Sequence, residues 1–521
     1  MKVLVSAQRL LIPLTFIAFV LLRLFVPSPY YFIGMDEAKY LVLARTFPHH
    51  TLFNNQLYLV HPPLFPALIR LFMLFLTDHT AGIAVSFLFA AITFVAMAAL
   101  FRLIGRDRFW IATALFVLAV SPLHIPTSRV IYKDSMFFGL YVLSLYFFLK
   151  GTINRESLYL LAAGLFGAAC CLTSDLGLSL VPVFMVGHLI FRRPGDPVKG
   201  FISMLCVILI AYGSWVTVRL VIYKTSFFYP AGVDGTIELV RAFTPRHLFT
   251  PRYFPATRTM FNFGVDFSEF RINANIYELY PLLKLPIFIP VAFYIFVGIT
   301  ALYTILRGLI KKQLKNNAPF FFSLFLIVFS LPVVLHPEPR FLIPILVPMS
   351  YLFAHGLTVV LSFLPRPGRA RKAIAWFLCL VLAAGVLKNF TTAGHFIFSL
   401  EKEVEGERTG RFLKALPEDG VMAQVGYPPE LVYLTGKRVL ALPIFPADLD
   451  YFIRLYGIHY LVYGQHYLAP LSTDDPTLIW CYHTIKYIQS NPGKYPLIKA
   501  VREDYRGGPG PDLIFIHGVR R

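Results

Sequence analysis

The run "AGIAVSFLFAAITFVAMAALF" (residues 81–101) carries no charge, and it passes directly into the basic cluster "FRLIGRDRFW" (101–110). A bilayer core takes roughly 20 mostly apolar residues in helical form, so the run reads as a membrane span. Lys and Arg in short loops stay on the cytoplasmic side, so the cluster marks its inner end. Reading outward from this span, about eleven apolar runs of spanning length precede residue 391. The 521-residue chain is 57% hydrophobic and 15% charged, with 51 Phe and a mean hydropathy of +0.65. That composition belongs to a polytopic α-helical membrane protein rather than to a string of soluble domains. The formal charge of +20 lies mainly between apolar runs, which signals topology and contact with membrane lipids; no nucleic-acid partner is expected. Cys170, Cys171, Cys206 and Cys379 fall inside apolar runs and Cys481 stands alone, so no disulfide framework is expected.

Charge also orders the rest of the chain. Lys2 and Arg9 flank the first run, "LLIPLTFIAFVLLRLFV" (10–26), and the following "PSPYYF" offers no small-residue cleavage site. The run is therefore read as a retained span with a cytoplasmic N-terminus. Residues 27–80 then form an outer loop. Within it "PPLFPALIRLFMLFL" (62–76) is too short to cross, opens on two prolines and carries Arg70; it reads as an interfacial helix on the outer leaflet. Further outer segments fall at 121–134, 173–176, 223–284 and 335–340, while "KGTINRES", "RRPGDPVKG", "RGLIKKQLKNN" and "LPRPGRARKA" are basic and cytoplasmic. An eleventh span (373–390) separates a transmembrane domain, residues 1–390, from a small extracytoplasmic α/β domain, residues 391–521. In that tail the strand-like runs "YLVYG" (460–464) and "DLIFIHG" (512–518) alternate with helical patterns such as "RTGRFLKALPEDG" (408–420). The expected location is the plasma or inner membrane.

Polar groups recur at the outer ends of these spans. "MDEAKYLVLARTF" (35–47) reads as an amphipathic helix with Asp36 and Glu37 in its first turn, followed by Lys39 and Tyr40. Pro62-Pro63 hold His61 at the membrane surface. "SRVIYKDS" (128–135) supplies Arg129, Lys133 and Asp134, "CLTSDLG" (171–177) supplies Asp175, and "HPEPRF" (336–341) supplies His336, Glu338 and Arg340. Each has a plainer reading as a helix-end charge, a solvated loop residue or a snorkelling interface anchor. Together they suit one chemistry. A carboxylate can act as general base on an acceptor hydroxyl or amine, and Arg and Lys can hold the oxygens of a lipid phosphate. A sugar on a lipid phosphate already has a good leaving group, so no general acid is needed. Nearby carboxylates would stabilise an oxocarbenium-like transition state.

The stretches "GMDEAKYLVLARTF…HPPLFPALIRLF", "SP…SRVIYKDSMFFGLYVL" and "PEPRFLIPILVP" resemble the GT-C superfamily of membrane glycosyltransferases over roughly residues 10–390. The branches most similar are the dolichyl-phosphate-mannose–protein mannosyltransferases and the undecaprenyl-phosphate-aminoarabinose lipid A transferases. The resemblance implies an inverting transferase that moves a hexosyl or pentosyl group from a polyprenyl-phosphate-linked donor to a lipid, glycan or protein acceptor. It implies Asp36 as catalytic base, with Glu37 positioning substrate or assisting a metal. Arg340 and Lys133, with Arg129 and His61, would contact the donor phosphate. Tyr40, Asp134, Asp175, His336 and Glu338 would line the cavity. The chain departs from the aminoarabinose transferases by carrying His61 where they tend to have Lys, and by lacking a Lys after "LT" near 172–173.

No metal is required by this reading, although Asp36, Glu37, His49, His50 and His61 could supply ligands for a divalent ion; the spacing of a helical His-x₃-His pair is absent. The outer loop 223–284, rich in Arg, Tyr and Phe, reads either as a lid over the donor head group or as a basic loop on anionic lipid. "NFT" (389–391) fits a glycosylation acceptor by chance, hard against the membrane. The alternative class is a polytopic transporter or lipid flippase. It predicts ionisable groups at mid-span and repeated halves, whereas the spans here read as largely charge-free. A third class is a non-catalytic receptor, with "GYPPELVYLTGKRV" (426–439) as a docking surface.

Overall fold

The computed structural model describes residues 2–25, 32–33, 35–47, 62–104, 107–121, 124–191, 198–221, 343–362, 403–404, 407–423, 428–437, 439–441, 457–464, 484–503 and 512–520, with isolated positions between 303 and 326 and between 449 and 454. The outer loop at 223–284, the run at 373–390, "NFT", Cys379 and Cys481 lie outside the described residues. In chain order the elements are α1 (Lys2–Phe25), β1 (Phe32–Ile33), α2 (Met35–Arg45), α3 (Leu64–Phe72), α4 (Asp78–Leu103), α5 (Arg108–Ala119), α6 (His124–Thr127), α7 (Lys133–Asn154) and α8 (Ser157–Cys171). A 3-10 segment (Asp175–Ser179) leads into α9 (Leu180–Phe191), α10 (Val198–Val221) and α11 (Leu346–Ser362). The rest comprises β2 (Glu403–Val404), α12 (Glu407–Lys414), β3 (Val421–Ala423), α13 (Pro428–Thr435), β4 (Val439–Ala441), β5 (Tyr460–Gly464), β6 (Leu497–Glu503) and β7 (Asp512–Gly518). The chain divides into two units. One comprises Met1–Pro29, Pro62–Phe65 and Ile83–Phe398; the other comprises Tyr30–His61, Pro66–Gly82 and Ser399–Arg521.

The first unit is a helical bundle. Among the described residues three helices are long and apolar enough to cross a membrane: Asp78–Leu103, Lys133–Asn154 and Val198–Val218. Leu10–Leu24, Arg108–Ala119, Ser157–Cys171, Asp175–Phe191 and Ile343–Val359 are shorter apolar helices. The expectation of about eleven spans draws on stretches outside the described residues. Packing gives each helix a direction. Phe19 meets Phe94 at 5.1 Å between ring centroids, and Ile12 and Pro13 share a groove with Ala98, Ala99 and Arg102, so α1 and α4 run antiparallel. α7 and α8 form an antiparallel hairpin: Ser144 Oγ donates to the Ala163 carbonyl at 2.7 Å, and the Cys170 thiol to that of Phe137 at 3.6 Å. Gly164 lies against the Met204 backbone and Gly167 against Ile208, so α8 and α10 run parallel at close approach, which small residues permit. Trp110 stands edge-on to both Phe101 and Tyr351, tying α4, α5 and α11 together.

These directions sort the polar residues to two ends. Arg102, Arg108, Lys150, Arg155 and Lys199 gather at one. The end of α1, the segment 118–134 and the turn 172–179 gather at the other.

The second unit is built on a five-stranded mixed sheet of order β4-β3-β5-β7-β6. β3 is parallel to β4 and β5, whereas β7 is antiparallel to β5 and β6. β5 is buried along all five residues, as a central strand covered on both faces should be. Val421, Val439, Tyr460, Val462, Ile514 and Ile516 turn to one face, against Leu413 of α12, Leu431 of α13 and Val42 of α2. Leu461 and Tyr463 turn to the other, against Leu449, Ile453, Ile485 and Ile488. The strand-like runs at 460–464 and 512–518 are β5 and β7. The helical pattern at 408–420 stops at Lys414, shortly before Pro417, whose ring disfavours helix in the residue preceding it.

One expectation is corrected. α2 is not amphipathic: every residue from Glu37 to Ala44 is buried. Four consecutive apolar residues, Leu41–Ala44, cover the whole circumference of a helix, and this one is enclosed on all sides.

A Cβ at Gly177 would stand 2.5 Å from the Cys171 amide nitrogen and 2.7 Å from the Cys170 carbonyl carbon, both backbone atoms. Gly177→Ala should therefore lever the 3-10 segment off α8 and cost about 2 kcal/mol. Gly493→Ala, which meets nothing within 4 Å, should leave thermal unfolding in detergent unchanged.

Candidate functional site

At the end of the first unit opposite the basic cluster, two of the sequence motifs are joined by a backbone hydrogen bond and a third is linked to them through the Cys170 thiol. Pro62-Pro63 lead into α3, and the Leu64 amide donates to the Leu172 carbonyl at 3.0 Å, docking the start of α3 on the end of α8. The same turn is closed by Ser174 N–H to the Cys170 carbonyl at 2.9 Å and Gly177 N–H to the Ser174 carbonyl at 2.8 Å. It places Asp175, half-buried, at the α8 terminus. Because Cys170 bonds Phe137, the first turn of α7, with Lys133 and Asp134, lies at this same end. Asp134 is buried to 3% exposure in that turn, where the free amides of a helix N-terminus favour a carboxylate.

The segment before α7 is knitted to itself. The His124 amide donates to Ser121 Oγ at 3.3 Å, Ser128 Oγ to the Ile125 carbonyl at 2.7 Å, and Ser135 Oγ to the Thr127 carbonyl at 3.0 Å. Arg129 is carried on this frame. Among the described residues its buried Nη1 has no hydrogen-bond partner, and burial lowers its pKa to about 10, leaving it charged at neutral pH. A buried donor with no acceptor is costly; phosphate oxygens are the acceptors a guanidinium fits best.

Sequence reading missed the group that anchors this frame. Arg23, near the end of α1, is 1% exposed. Its Nη1 donates to the carbonyls of Phe19 at 3.0 Å and Ala119 at 3.2 Å, and its Nη2 to that of Leu118 at 3.3 Å. Nη2 also meets His124 Nδ1 at 2.6 Å, and the guanidinium lies 3.5 Å from the centroid of the Phe19 ring. The cation thus caps the C-terminal carbonyls of α5, a favourable place for positive charge. His124 Nδ1 must accept, so the imidazole is neutral with its proton on Nε2. Burial, and then the charge of Arg23, hold its pKa well below the usual value. The spans are therefore not as charge-free as expected.

The acid-bearing helix lies in the second unit. Asp36 stands in the first turn of α2; Glu37 is 1% exposed, with Lys39 and Tyr40 also buried. The helix is locked into the sheet domain by three contacts. Val42 enters the sheet core, Arg45 donates to the Tyr433 carbonyl at 2.9 Å while its guanidinium covers the Tyr433 ring, and Arg45 pairs with Asp78. β1, just before it, pairs in parallel with β2. The stretch 426–439 is used in the same packing: Leu431 is buried and Tyr433 serves Arg45. The neighbouring Leu434, Thr435 and Lys437 are half-buried and Gly436 is exposed.

The structure accordingly brings Arg129, Lys133, Asp134, Asp175 and the Pro-Pro-Leu turn together in one unit, and Asp36, Glu37 and Tyr40 in the other. His49, His50, His61, His336, Glu338 and Arg340 lie outside the described residues. Among the described residues no three His, Cys, Asp or Glu side chains cluster as metal ligands, and Cys170, Cys171 and Cys206 are free thiols.

Arg23→Ala would leave the Ala119 carbonyl and His124 Nδ1 without their donor and remove one of the donors to the Leu118 carbonyl, and should cost about 3 kcal/mol or more in thermal unfolding. In the wild type the depressed His124 pKa means that the unfolded state binds the extra proton. Stability from this group is full above the ordinary histidine value and is lost as pH falls below it. Arg23→Ala should flatten that acid-side slope.

Comparison with known proteins places the architecture. Residues 60–224 match the dolichyl-phosphate-mannose-protein mannosyltransferase family. No curated protein matches the sequence. The chain is similar to the Archaeoglobus fulgidus oligosaccharyltransferase solved with a tethered acceptor peptide, with a TM-score of 0.57 at 11% identity over 99% of this chain and 74% of that one. It is also similar to ArnT from Cupriavidus metallidurans in the apo state, with a TM-score of 0.54 at 13% identity over 99% and 98% of the two chains. With ArnT bound to undecaprenyl phosphate the TM-score is 0.53 at 13% identity over 98% of each chain. At such identities the likeness is one of fold. The chain is an integral membrane protein with the fold of the GT-C superfamily of glycosyltransferases.

Proposed function

We propose that the protein is an inverting glycosyltransferase that takes a sugar from a polyprenyl-phosphate-linked donor and passes it to a lipid, glycan or protein acceptor on the extracytoplasmic face. The observation that carries this reading is the charged, donor-bearing Arg129, whose Nη1 has no acceptor among the described residues, in a turn-rich end of a GT-C bundle that also holds Lys133, Asp134 and Asp175. The family match over residues 60–224 covers this segment. The structural neighbours include one solved with undecaprenyl phosphate and one with an acceptor peptide, which supports the two substrate classes.

In this mechanism Asp36 takes the proton of the acceptor hydroxyl or amine as its heteroatom attacks the anomeric carbon from the face opposite the phosphate. The new glycosidic bond forms as the bond from that carbon to the phosphate oxygen breaks, and the electron pair leaves with the lipid phosphate. Inversion follows from the single displacement. Arg129, Lys133, His61 and Arg340 hold the phosphate and stabilise its growing charge. Glu37 orients the acceptor, while Tyr40, Asp134, Asp175, His336 and Glu338 shape the cavity. A cytoplasmic N-terminus accords with the basic ends of the helices.

Asp36→Asn should lower turnover of a polyprenyl-phosphate sugar by about 10²–10⁴-fold while leaving donor binding unchanged. Arg129→Ala should weaken donor binding by roughly thirtyfold, the loss of charged hydrogen bonds to phosphate. Membranes in which both variants behave as wild type would favour the transporter reading.

A further inference from the structure

A groove of about 690 Å³ opens at the basic end of the bundle, away from the segment assigned to the donor. Its walls are apolar: Ile12, Pro13 and Phe16 from α1 face Phe94, Val95 and the small residues Ala98 and Ala99 from α4. Its lining also includes two cations, Arg102 at the end of α4 and Arg108 at the start of α5. The volume is that of a ligand site. Both arginines are exposed, and among the described residues neither has a hydrogen-bond or carboxylate partner. Asp107, the acid adjoining Arg108, caps α5 by accepting the Trp110 amide on Oδ1 at 2.9 Å and makes no ion pair with Arg108 among the described residues. The groove therefore combines an apolar channel along two membrane helices with two cations that, among the described residues, form no ion pair, where the chain leaves the apolar core.

We infer that this groove is a binding site for an anionic phospholipid, its acyl chain along Phe16, Phe94, Val95 and Ala99 and its phosphate on Arg102 and Arg108. The chemistry selects the occupant. A neutral acyl chain leaves the two guanidinium groups unmatched, and free phosphate leaves the apolar walls unfilled. Basic pockets between transmembrane helices take phosphate-bearing lipid head groups for the same reason. The site does not depend on the transferase reading, since neither arginine is assigned to donor or acceptor.

Native mass spectrometry of the full-length protein, released from detergent with matched-chain phosphatidylglycerol or phosphatidylcholine, tests the assignment. Wild type should retain phosphatidylglycerol in preference to phosphatidylcholine. The double variant Arg102→Gln, Arg108→Gln should lose that preference by about thirtyfold in affinity, falling to the phosphatidylcholine level. A control pair at the same end, Lys150→Gln with Arg155→Gln, should leave it within twofold. Equal retention by wild type and the double variant, or an equal loss in the control pair, overturns the assignment. So does protection against thermal unfolding by inorganic phosphate equal to that by the lipid, or a dimer that disappears with the arginines, which would give the groove to a second copy. If the double variant yields no folded protein, Ala99→Leu, which fills the groove and leaves both charges, decides: undiminished phosphatidylglycerol retention overturns the proposal.

Discussion

The bundle depends on a charge carried into its apolar interior. Burying a guanidinium is costly unless its donors find acceptors, and the two Nη atoms of Arg23 find three backbone carbonyls and a ring nitrogen, although its Nε finds none among the described residues. Two of those carbonyls belong to the buried C-terminal end of α5, where the helix's own amides run out. One side chain thus solves two problems at once, its own burial and the termination of a neighbouring helix. It also fixes where the chain turns toward His124, and the bond Ser121 accepts from the His124 amide, with those Ser128 and Ser135 donate, carries that constraint on to Arg129 and the start of α7. The turn after α8 is fixed independently, by Gly177 packed on the Cys170–Cys171 backbone and by Leu64 bonded to Leu172.

The consequence for chemistry is preorganisation. Irregular backbone is rigid where its polar groups are satisfied internally, and the described residues of segment 121–135 are bonded both backbone to backbone and through their own hydroxyls. A cation mounted on such a frame need not reorganise when an anionic ligand arrives, so its stabilisation is available as charge develops. The acid pair is treated differently. α2 is enclosed by the sheet domain through Val42, Arg45 and the β1–β2 pairing, so residues far along the chain determine where Asp36 and Glu37 stand.

Much of this was legible in the sequence where the determinants are local. The uncharged run at 81–101 falls within α4, the β-rich runs at 460–464 and 512–518 are strands, and the polar break at 173–176 is a turn followed by the 3-10 segment. What escaped depends on distant partners. Arg23 looks like a snorkelling residue near the end of an apolar run, because its acceptors lie 95 to 101 positions on. α2 reads as a surface helix because the carbonyl that Arg45 bonds lies 388 residues away. Arg129 was legible as a candidate cation; that one of its donors lacks an acceptor was not, since that follows from how the segment folds on itself.

The account turns on where a lipid phosphate is held. A cryo-electron-microscopy structure of the full-length protein with a polyprenyl phosphate would test it most directly. The account predicts phosphate density bonded to the Arg129 guanidinium, beside the first turn of α7. Phosphate density at the opposite end of the bundle, with Arg129 left unoccupied, would contradict it.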